Sequence, residues 1–235
     1  MSIFGIAKEV FDLLPEACFG VVVAKGIDNK SENDQIGQLL MDEVKAVCAR
    51  MEGINVKQYE PVVYYREAFQ KIGINPNRYA NSVEALTKRV TNGTPFPRIN
   101  NIVDIGNAMS IKYVLPMGAH DIDKLSGGDL MVRLATSEDT FIPFGETEAE
   151  SVPEGEMVYA TGSQIKTRRW IWRQSEVGKI DENSCNVVFP IDGFLGKNDD
   201  KVKAAAEELA KHLEELFGCQ VKTDFLTSEK TVCEL

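Results

Sequence analysis

Residues 97–123, PRINNIVDIGNAMSIKYVLPMGAHDID, decide how the fold of this chain is interpreted. The apolar residues from Ile102 to Val114 fit a mostly buried helix, which two prolines introduce and Pro116 ends. After Gly118 the pattern changes to short β segments bounded by Gly, Pro, Asn or acidic residues. The stretch therefore places a change from helices to strands in the middle of the chain.

Polar side chains interrupt this predicted apolar helix at Asn100, Asn101, Asp104 and Asn107. Asn100, Asp104 and Asn107 share one helix face, because four and three residues separate them. Burying amides and a carboxylate costs free energy unless these groups form hydrogen bonds. The residues therefore either tie neighbouring loops together or line a ligand site.

The remaining elements follow the same division of the chain. Further helices are predicted at 36–51, 61–69 and 82–92, the last capped by Ser82, and a long one at 199–217. Strands are predicted at 19–24, 130–135, 140–144, 157–160, 168–173 and 186–191, and through Val221. We therefore predict an α+β fold, with helices concentrated in the N-terminal half around a mixed or antiparallel β-sheet and a long C-terminal helix. We expect residues 1–235 to form a single domain of two closely packed lobes.

The composition is that of an ordinary globular protein, with 43 % hydrophobic and 26 % charged residues. No apolar run approaches the ~20 residues of a membrane-spanning helix. The start, MSIFGIAKEVF, has neither the basic flank nor the apolar length of a signal peptide. We therefore expect a cytoplasmic protein that makes no contact with a membrane.

The sequence motifs exclude several classes of site. The five cysteines contain no C-x-x-C pair, and only two histidines accompany them, so we expect free thiols and no metal site. There is no phosphate-binding Walker loop, no dinucleotide G-x-G-x-x-G and no G-x-S-x-G motif, and Gly127-Gly128 predicts a turn. We expect no cofactor.

The distribution of charge is uneven along the chain. The formal net charge of -10 argues against a protein that binds nucleic acid through many unspecific phosphate contacts. However, residues 161–180 carry five bases and one acid, directly after seven acids and no base in residues 134–160. This basic segment fits contact with a few phosphates, or else it is a surface strand with solvated charges.

The segment KTRRWIWRQ, residues 166–174, holds both tryptophans of the chain. If it is a strand, Arg168, Trp170 and Trp172 lie on one face and Arg173 lies on the other. Arginine can grip a phosphate and indole can stack on a nucleobase. The alternative is that both tryptophans belong to the core.

His120 lies in the segment GAHDID, between the predicted apolar helix and a strand. Loops in such positions present polar groups on a rigid scaffold, and histidine titrates near neutral pH. The segment therefore predicts either a functional histidine or a surface and capping histidine.

These segments together resemble the B3/B4 tRNA-editing domain of the phenylalanyl-tRNA synthetase β subunit. That domain has a V-D-x-x-N helix, matched by Val103, Asp104 and Asn107, and then a His-x-x-Asp loop, matched by His120 and Asp123. The resemblance covers roughly residues 19–194, and residues 66–90 and 168–180 are more similar to freestanding members of the family. An ordered set of motifs is more specific than any one of them.

The resemblance implies a site for the aminoacylated acceptor end of a tRNA and its amino acid moiety. Asn107 and His120 would be catalytic, and substrate would be bound by Arg98, Asn100, Asn101, Asp104, Gly118, Arg168, Trp170, Trp172 and Arg173. The implied function is a tRNA-binding, trans-acting hydrolase that deacylates mischarged tRNA. The alternative is a non-catalytic module that binds an amino acid-like small molecule or a partner protein.

One departure from the family pattern concerns specificity. The synthetase domain reads the hydroxyl of tyrosine with a glutamate in a late strand. The corresponding strand, predicted at 186–191, offers Val187, Val188, Phe189 and Pro190. We therefore expect no buried acceptor and no basis for tyrosine specificity.

Overall fold

The computed structural model describes residues 2–125 and 128–235. Gly127 of the predicted turn lies outside the described residues. The described helices are α1 (Lys8–Leu13), α2 (Asp34–Arg50), α3 (Glu60–Lys71), α4 (Ser82–Thr91), α5 (Asn101–Tyr113) and α6 (Asp199–Phe217). The strands are β1 (Ile3–Ile6), β2 (Ala17–Lys25), β3 (His120–Asp121), β4 (Leu130–Leu134), β5 (Thr140–Phe141), β6 (Glu150–Ser151), β7 (Met157–Thr161), β8 (Gln164–Arg168), β9 (Arg173–Gln174), β10 (Asn186–Phe194), β11 (Gln220–Leu226) and β12 (Val232–Glu234).

Within the described residues, the strands form two sheets. The larger has the order β12-β1-β4-β7-β8-β5-β6, with β9 paired to β8, and the smaller has the order β11-β2-β10-β3. The larger sheet is mixed, since β1 pairs in parallel with β4 while β7 pairs antiparallel with both of its neighbours. The predicted α+β class is confirmed.

The smaller sheet is covered by helix α6. Strand β2 is buried over its whole length except Lys25, because it lies between β10 and β11 and also packs against α6. Its near-continuous apolar sequence is typical of a strand covered on both faces. The helix approaches closely where two glycines, Gly20 and Gly193, face Val202.

Substituting one of these glycines tests this contact. A Cβ atom on Gly193 would lie 2.4 Å from Cγ2 of Val202, so Gly193→Ala is expected to lower the free energy of unfolding by roughly 1–3 kcal/mol. Gly106→Ala in α5 is the control, since its Cβ would only reach Phe189 at 3.6 Å and alanine favours a helix. Urea unfolding measures both, and an equal loss of stability in the two variants would contradict the close packing of α6.

Several predicted boundaries differ from the observed ones. The side chain of Asn81, not Ser82, caps α4 by accepting a hydrogen bond from the Glu84 amide. Strand β10 continues three residues past its predicted end at Ile191. The strand predicted at 168–173 is wrong, because β8 ends at Arg168 and a turn follows before β9.

Within the described part of the chain, no helix combines the length and the apolar character needed to cross a bilayer.

Candidate functional site

The chain leaves α5 in a way that brings His120 into the smaller sheet. Val114 ends the helix in a left-handed conformation (φ 56°), and the Ser110 hydroxyl donates to the Leu115 carbonyl at 2.7 Å. The Gly118 amide then donates to the Pro190 carbonyl, and His120 pairs with Val188 of β10. His120 is therefore a buried residue of β3, only 3 % exposed, and not the member of a polar loop that its sequence position suggested.

A cavity of about 120 Å³ lies beside this segment. It is bounded by the loop after α5, by β3 and β10 of the smaller sheet, by β7, β8 and β9 of the larger sheet, and by the start of α4. Its lining consists of Ser82, Pro116, Met117, Gly118, His120, Tyr159, Thr167, Trp170, Ile171, Trp172, Arg173, Gln174, Pro190 and Asp192. Mostly apolar walls with a few polar groups are typical of small-ligand sites.

No residue of the described structure forms a hydrogen bond with the ring of His120. Its Nδ1 is buried without a hydrogen bond, and the ring stacks on Tyr159 with centroids 5.5 Å apart. Burial, together with the charge of Lys166, lowers the pKa of His120 to about 3. The imidazole is therefore neutral at physiological pH, so it can donate or accept a hydrogen bond but is a weak general base.

Asp192 places a carboxylate in the same cavity. Its Oδ1 accepts hydrogen bonds from the Tyr159 hydroxyl at 2.7 Å and from Trp170 Nε1 at 2.6 Å. Among residues 2–125 and 128–235, no other residue donates a hydrogen bond to Oδ2. Burial raises the pKa of Asp192 to about 7, even though both hydrogen bonds act to lower it. The sequence-based expectation that this strand holds no buried acceptor is therefore wrong, because the strand extends to Phe194 and Asp192 lies within it.

Tyr159 connects the two polar groups, since its ring stacks on His120 while its hydroxyl binds Asp192. The backbone of Asp192 is also fixed, because its amide donates to the Pro116 carbonyl and its carbonyl accepts from the Tyr65 hydroxyl at 2.8 Å. His120, Tyr159 and Asp192 thus form one connected part of the cavity wall.

The two tryptophans are presented by a strained turn rather than by a strand. Arg169 and Trp170 adopt left-handed conformations (φ 47° and 59°), which non-glycine residues rarely do and which cost ~1–3 kcal/mol each. Trp170 is consequently fully buried, while Trp172 is half-buried at the cavity. The predicted alternation of faces is wrong for this reason, and the core alternative applies to Trp170.

Glu156 holds this turn in place. Its Oε1 accepts from Nε of Arg168 at 2.9 Å and from the Arg169 amide at 3.1 Å. Arg168 is buried, and Glu150 contacts its guanidinium at 3.4 Å as well. The structure therefore places Arg168 in an internal ion-pair network outside the cavity lining.

The polar residues around the start of α5 form a separate cluster. Asn100 caps the helix, and the Arg98 Nε donates to Asp104 at 2.5 Å. The Asn101 amide donates to the Ser31 carbonyl at 2.6 Å. These contacts tie the loop before α2 to α5, and the four residues border a surface depression distinct from the cavity. Asn107 is half-buried in α5, its side chain makes no hydrogen bond to a described residue, and it does not line the cavity.

Five of the site residues predicted from the sequence thus line one cavity: Gly118, His120, Trp170, Trp172 and Arg173. Sequence reasoning missed Asp192 and Tyr159. An acidic residue directly after the apolar run VVFPI was a signal for Asp192, but an Asp-Gly pair normally predicts a turn. In the part of the chain that the structure describes, no three His, Cys, Asp or Glu side chains form a group that could hold a metal ion.

His120 and Asp192 have opposite effects on the pH dependence of stability. Between about pH 4 and pH 7 the folded protein retains a proton on Asp192 that the unfolded chain releases, so this group lowers the free energy of unfolding as pH rises. Between about pH 3 and pH 6.5, His120 is protonated in the unfolded chain but not in the folded protein. The contribution of His120 to the free energy of unfolding therefore increases as pH rises. The wild-type profile contains both contributions.

The variant Asp192→Asn separates them. The free energy of unfolding of the wild type, minus that of the variant, is expected to fall as pH rises from about 4 to 7. The fall is up to roughly 4 kcal/mol, since one pKa unit corresponds to about 1.4 kcal/mol. Urea unfolding at several pH values measures this difference. A difference that stays constant over this range would show that Asp192 is not held neutral by burial.

The chain is similar to proteins of known family. Residues 64–218 match the family described as B3/4 domain. The chain is 26 % identical over 210 residues to the phenylalanine–tRNA ligase beta subunit of Rickettsia bellii, covering 85 % of this chain and 21 % of that protein. It is 28 % identical over 106 residues to the same subunit of Streptococcus mutans, covering 45 % of this chain and 13 % of that protein.

A solved structure is also similar to this chain. It is the crystal structure of an N-terminal fragment of the phenylalanyl-tRNA synthetase β subunit from Pyrococcus horikoshii, with 13 % sequence identity and a TM-score of 0.46. The alignment covers 92 % of this chain and 49 % of that fragment. Of the two curated relatives, the chain spans about a fifth of the length of the first and less of the second.

Proposed function

The chain belongs to the B3/4 domain family, and on that premise we propose that it binds the aminoacylated end of a tRNA and hydrolyses the ester of a wrongly attached amino acid. The observation that carries the proposal is the cavity lined by both His120, whose Nδ1 is buried without a hydrogen-bond partner, and the buried carboxylate of Asp192. Buried polar groups normally have partners, so the unpartnered Nδ1 of His120 beside a carboxylate supports a bound ligand or ordered water in this cavity. A tRNA substrate would place the protein in the cytoplasm.

In this proposal the ester lies at the His120 end of the cavity and the amino acid side chain points towards Asp192. Water adds to the ester carbonyl, the bond from that carbon to the ribose oxygen breaks, and the ribose oxygen receives the proton. The products are a free amino acid and a tRNA with its terminal hydroxyl restored. An aminoacyl ester is already activated, so holding it against a positioned water contributes much of the catalysis.

His120 acts in this scheme as a hydrogen-bond donor. Because its pKa is about 3, the neutral ring stabilises the oxyanion that forms on the ester carbonyl, or positions the water, rather than removing a proton. The resemblance implies a second role for Asn107. Since that amide lies outside the cavity lining, we propose that it makes no contact with the ester.

Asp192 supplies a physical source of specificity. An acceptor in an apolar cavity favours side chains that bear a hydrogen-bond donor and disfavours isosteres that lack one. We propose that the preferred amino acid carries such a donor, for example a hydroxyl.

A second candidate function is binding without turnover, with a free amino acid or a partner protein as the ligand. The low pKa of His120 favours this second function, because the ring is then a weak general base. Incubating the protein with a panel of mischarged tRNAs decides between the two. Release of amino acid above the spontaneous rate supports hydrolysis, whereas binding without release supports the second function.

A further inference from the structure

Four side chains beside the cavity, two arginines and two aromatic residues, contact one another in a continuous series. The Arg169 guanidinium lies 3.9 Å from the ring centroid of Tyr79 and 4.5 Å from that of Trp172. The guanidinium of Arg78 lies 5.2 Å from the Tyr79 centroid. The Tyr79 and Trp172 rings also contact each other edge to face, with centroids 5.0 Å apart. We call Arg78, Tyr79, Arg169 and Trp172 the arginine–aromatic stack.

The stack is continuous with the cavity. Trp172 and the exposed Arg173 both line the cavity, so the stack reaches the cavity through Trp172. Arg169 is held by Glu156, whose Oε2 lies 3.7 Å from its Nε. The stack is therefore assembled before any ligand arrives, which reduces the ordering that binding would require.

Two cations at this position have no acidic partner. Within residues 2–125 and 128–235, neither Arg78 nor Arg173 forms a salt bridge or a side-chain hydrogen bond, and both are exposed. The molecule as a whole carries a net charge of -10, so a pair of uncompensated arginines is a local exception. Guanidinium groups without internal partners are free to contact an external anion such as a phosphate.

We propose that the arginine–aromatic stack, together with Arg173, is the docking surface for the unpaired 3′-terminal nucleotides of an RNA. The choice of RNA rests on the function proposed above. Aromatic faces accept nucleobases of any sequence, and arginines beside them neutralise the linking phosphates. Arg169 lies over one face of Trp172, so a nucleobase would stack on the opposite face. An acidic peptide would use the two arginines but not this ring, so the combination favours a single-stranded nucleic acid.

The experiment measures binding of a fluorescein-labelled tetraribonucleotide, ACCA, by fluorescence anisotropy. The double variant Arg78→Gln/Arg173→Gln is expected to bind at least ~10-fold more weakly than the wild type, and its plot of log affinity against log salt is expected to be shallower by about 0.7 for each lost phosphate contact. Trp172→Leu is expected to weaken binding by ~10-fold as well, through lost stacking.

The control is Lys57→Gln/Lys211→Gln, which removes the same charge at two exposed positions that contribute nothing to the cavity. It is expected to change affinity less than twofold. Equal losses in the two double variants would overturn the proposal, as would equally tight binding of an RNA duplex or of hexaglutamate. Because ACCA carries no amino acid, the result does not depend on hydrolysis: an inactive protein that binds ACCA through Arg78 and Arg173 retains the docking surface and loses only the proposed reaction.

Discussion

Hydrolysis of a mischarged tRNA by the His120→Ala variant is expected to be slower than by the wild type by a factor of ~10²–10³ under saturating substrate. The ring of His120 is the unpartnered donor at one end of the cavity, and removing one preorganised donor to a developing oxyanion typically costs this much in kcat. The affinity for the tRNA should change little, since the arginine–aromatic stack is untouched. Single-turnover release of a radiolabelled amino acid measures the effect.

Asn107→Ala is the matched control for this prediction. Asn107 has an amide of similar reach and belongs to the same motif set, but its side chain is on α5 outside the cavity lining. Its rate is expected to stay within about threefold of the wild type. Equal losses in the two variants would show that the ester does not lie at His120. His120→Asn, which keeps a donor, should recover part of the rate, whereas a purely structural role would give no such recovery.

We expect that His120 does not gain or lose a proton during the reaction. A general base with an ordinary histidine pKa would make the rate fall as pH drops below about 6.5, whereas a ring whose pKa is about 3 stays neutral over that range. The His120 contribution to kcat is therefore expected to be independent of pH between about 5 and 8. If the wild type shows a fall in rate below about pH 6.5 and His120→Ala does not, the neutral-donor role of His120 is contradicted.

Local patterns in the sequence were sufficient to predict the elements with strong periodicity. Helices α5 and α6 follow from the distribution of their apolar residues, and Gly218 with a positive φ ends α6. The turn after β8 could not be predicted in this way. Its left-handed pair, Arg169 and Trp170, violates the backbone preference of both residues, and Glu156 holds it from a position twelve residues away in the sequence.

The candidate site was only partly accessible from the sequence for a similar reason. His120 and Gly118 attracted attention through residue type and position, and both line the cavity. Asp192 did not, because its burial depends on side chains that are distant in sequence, such as Tyr65 and Trp170. Conversely, the polar residues at the start of α5 suggested a ligand site, yet their hydrogen bonds are made within the protein.

The choice of amino acid should depend on Asp192. In the variant Asp192→Asn, the amide oxygen can replace Oδ1 as the acceptor for Tyr159 and Trp170, so the amide NH₂ group replaces the unpartnered Oδ2. The cavity then presents a donor where it presented an acceptor. A substrate hydroxyl can still accept a hydrogen bond from the NH₂ group but loses the stronger bond that it donates to a carboxylate, so the preference of kcat/KM for hydroxylated side chains is expected to fall by ~10-fold.

Two pairs of esters that differ in a hydroxyl test this expectation: tyrosine against phenylalanine, and threonine against its isostere valine. The assay is performed at pH 8, because the Asp192 carboxylate, whose pKa is about 7, is then mostly ionised in the free protein. A wild-type preference for the hydroxylated member that is unchanged in Asp192→Asn would remove Asp192 from specificity. Loss of activity towards both members would instead indicate damage to the cavity wall, and thermal melting of the variant identifies that case. Only a selective loss towards the hydroxylated side chain supports recognition by Oδ2, because neither a misfolded wall nor a weakened tRNA contact distinguishes two esters on the same tRNA.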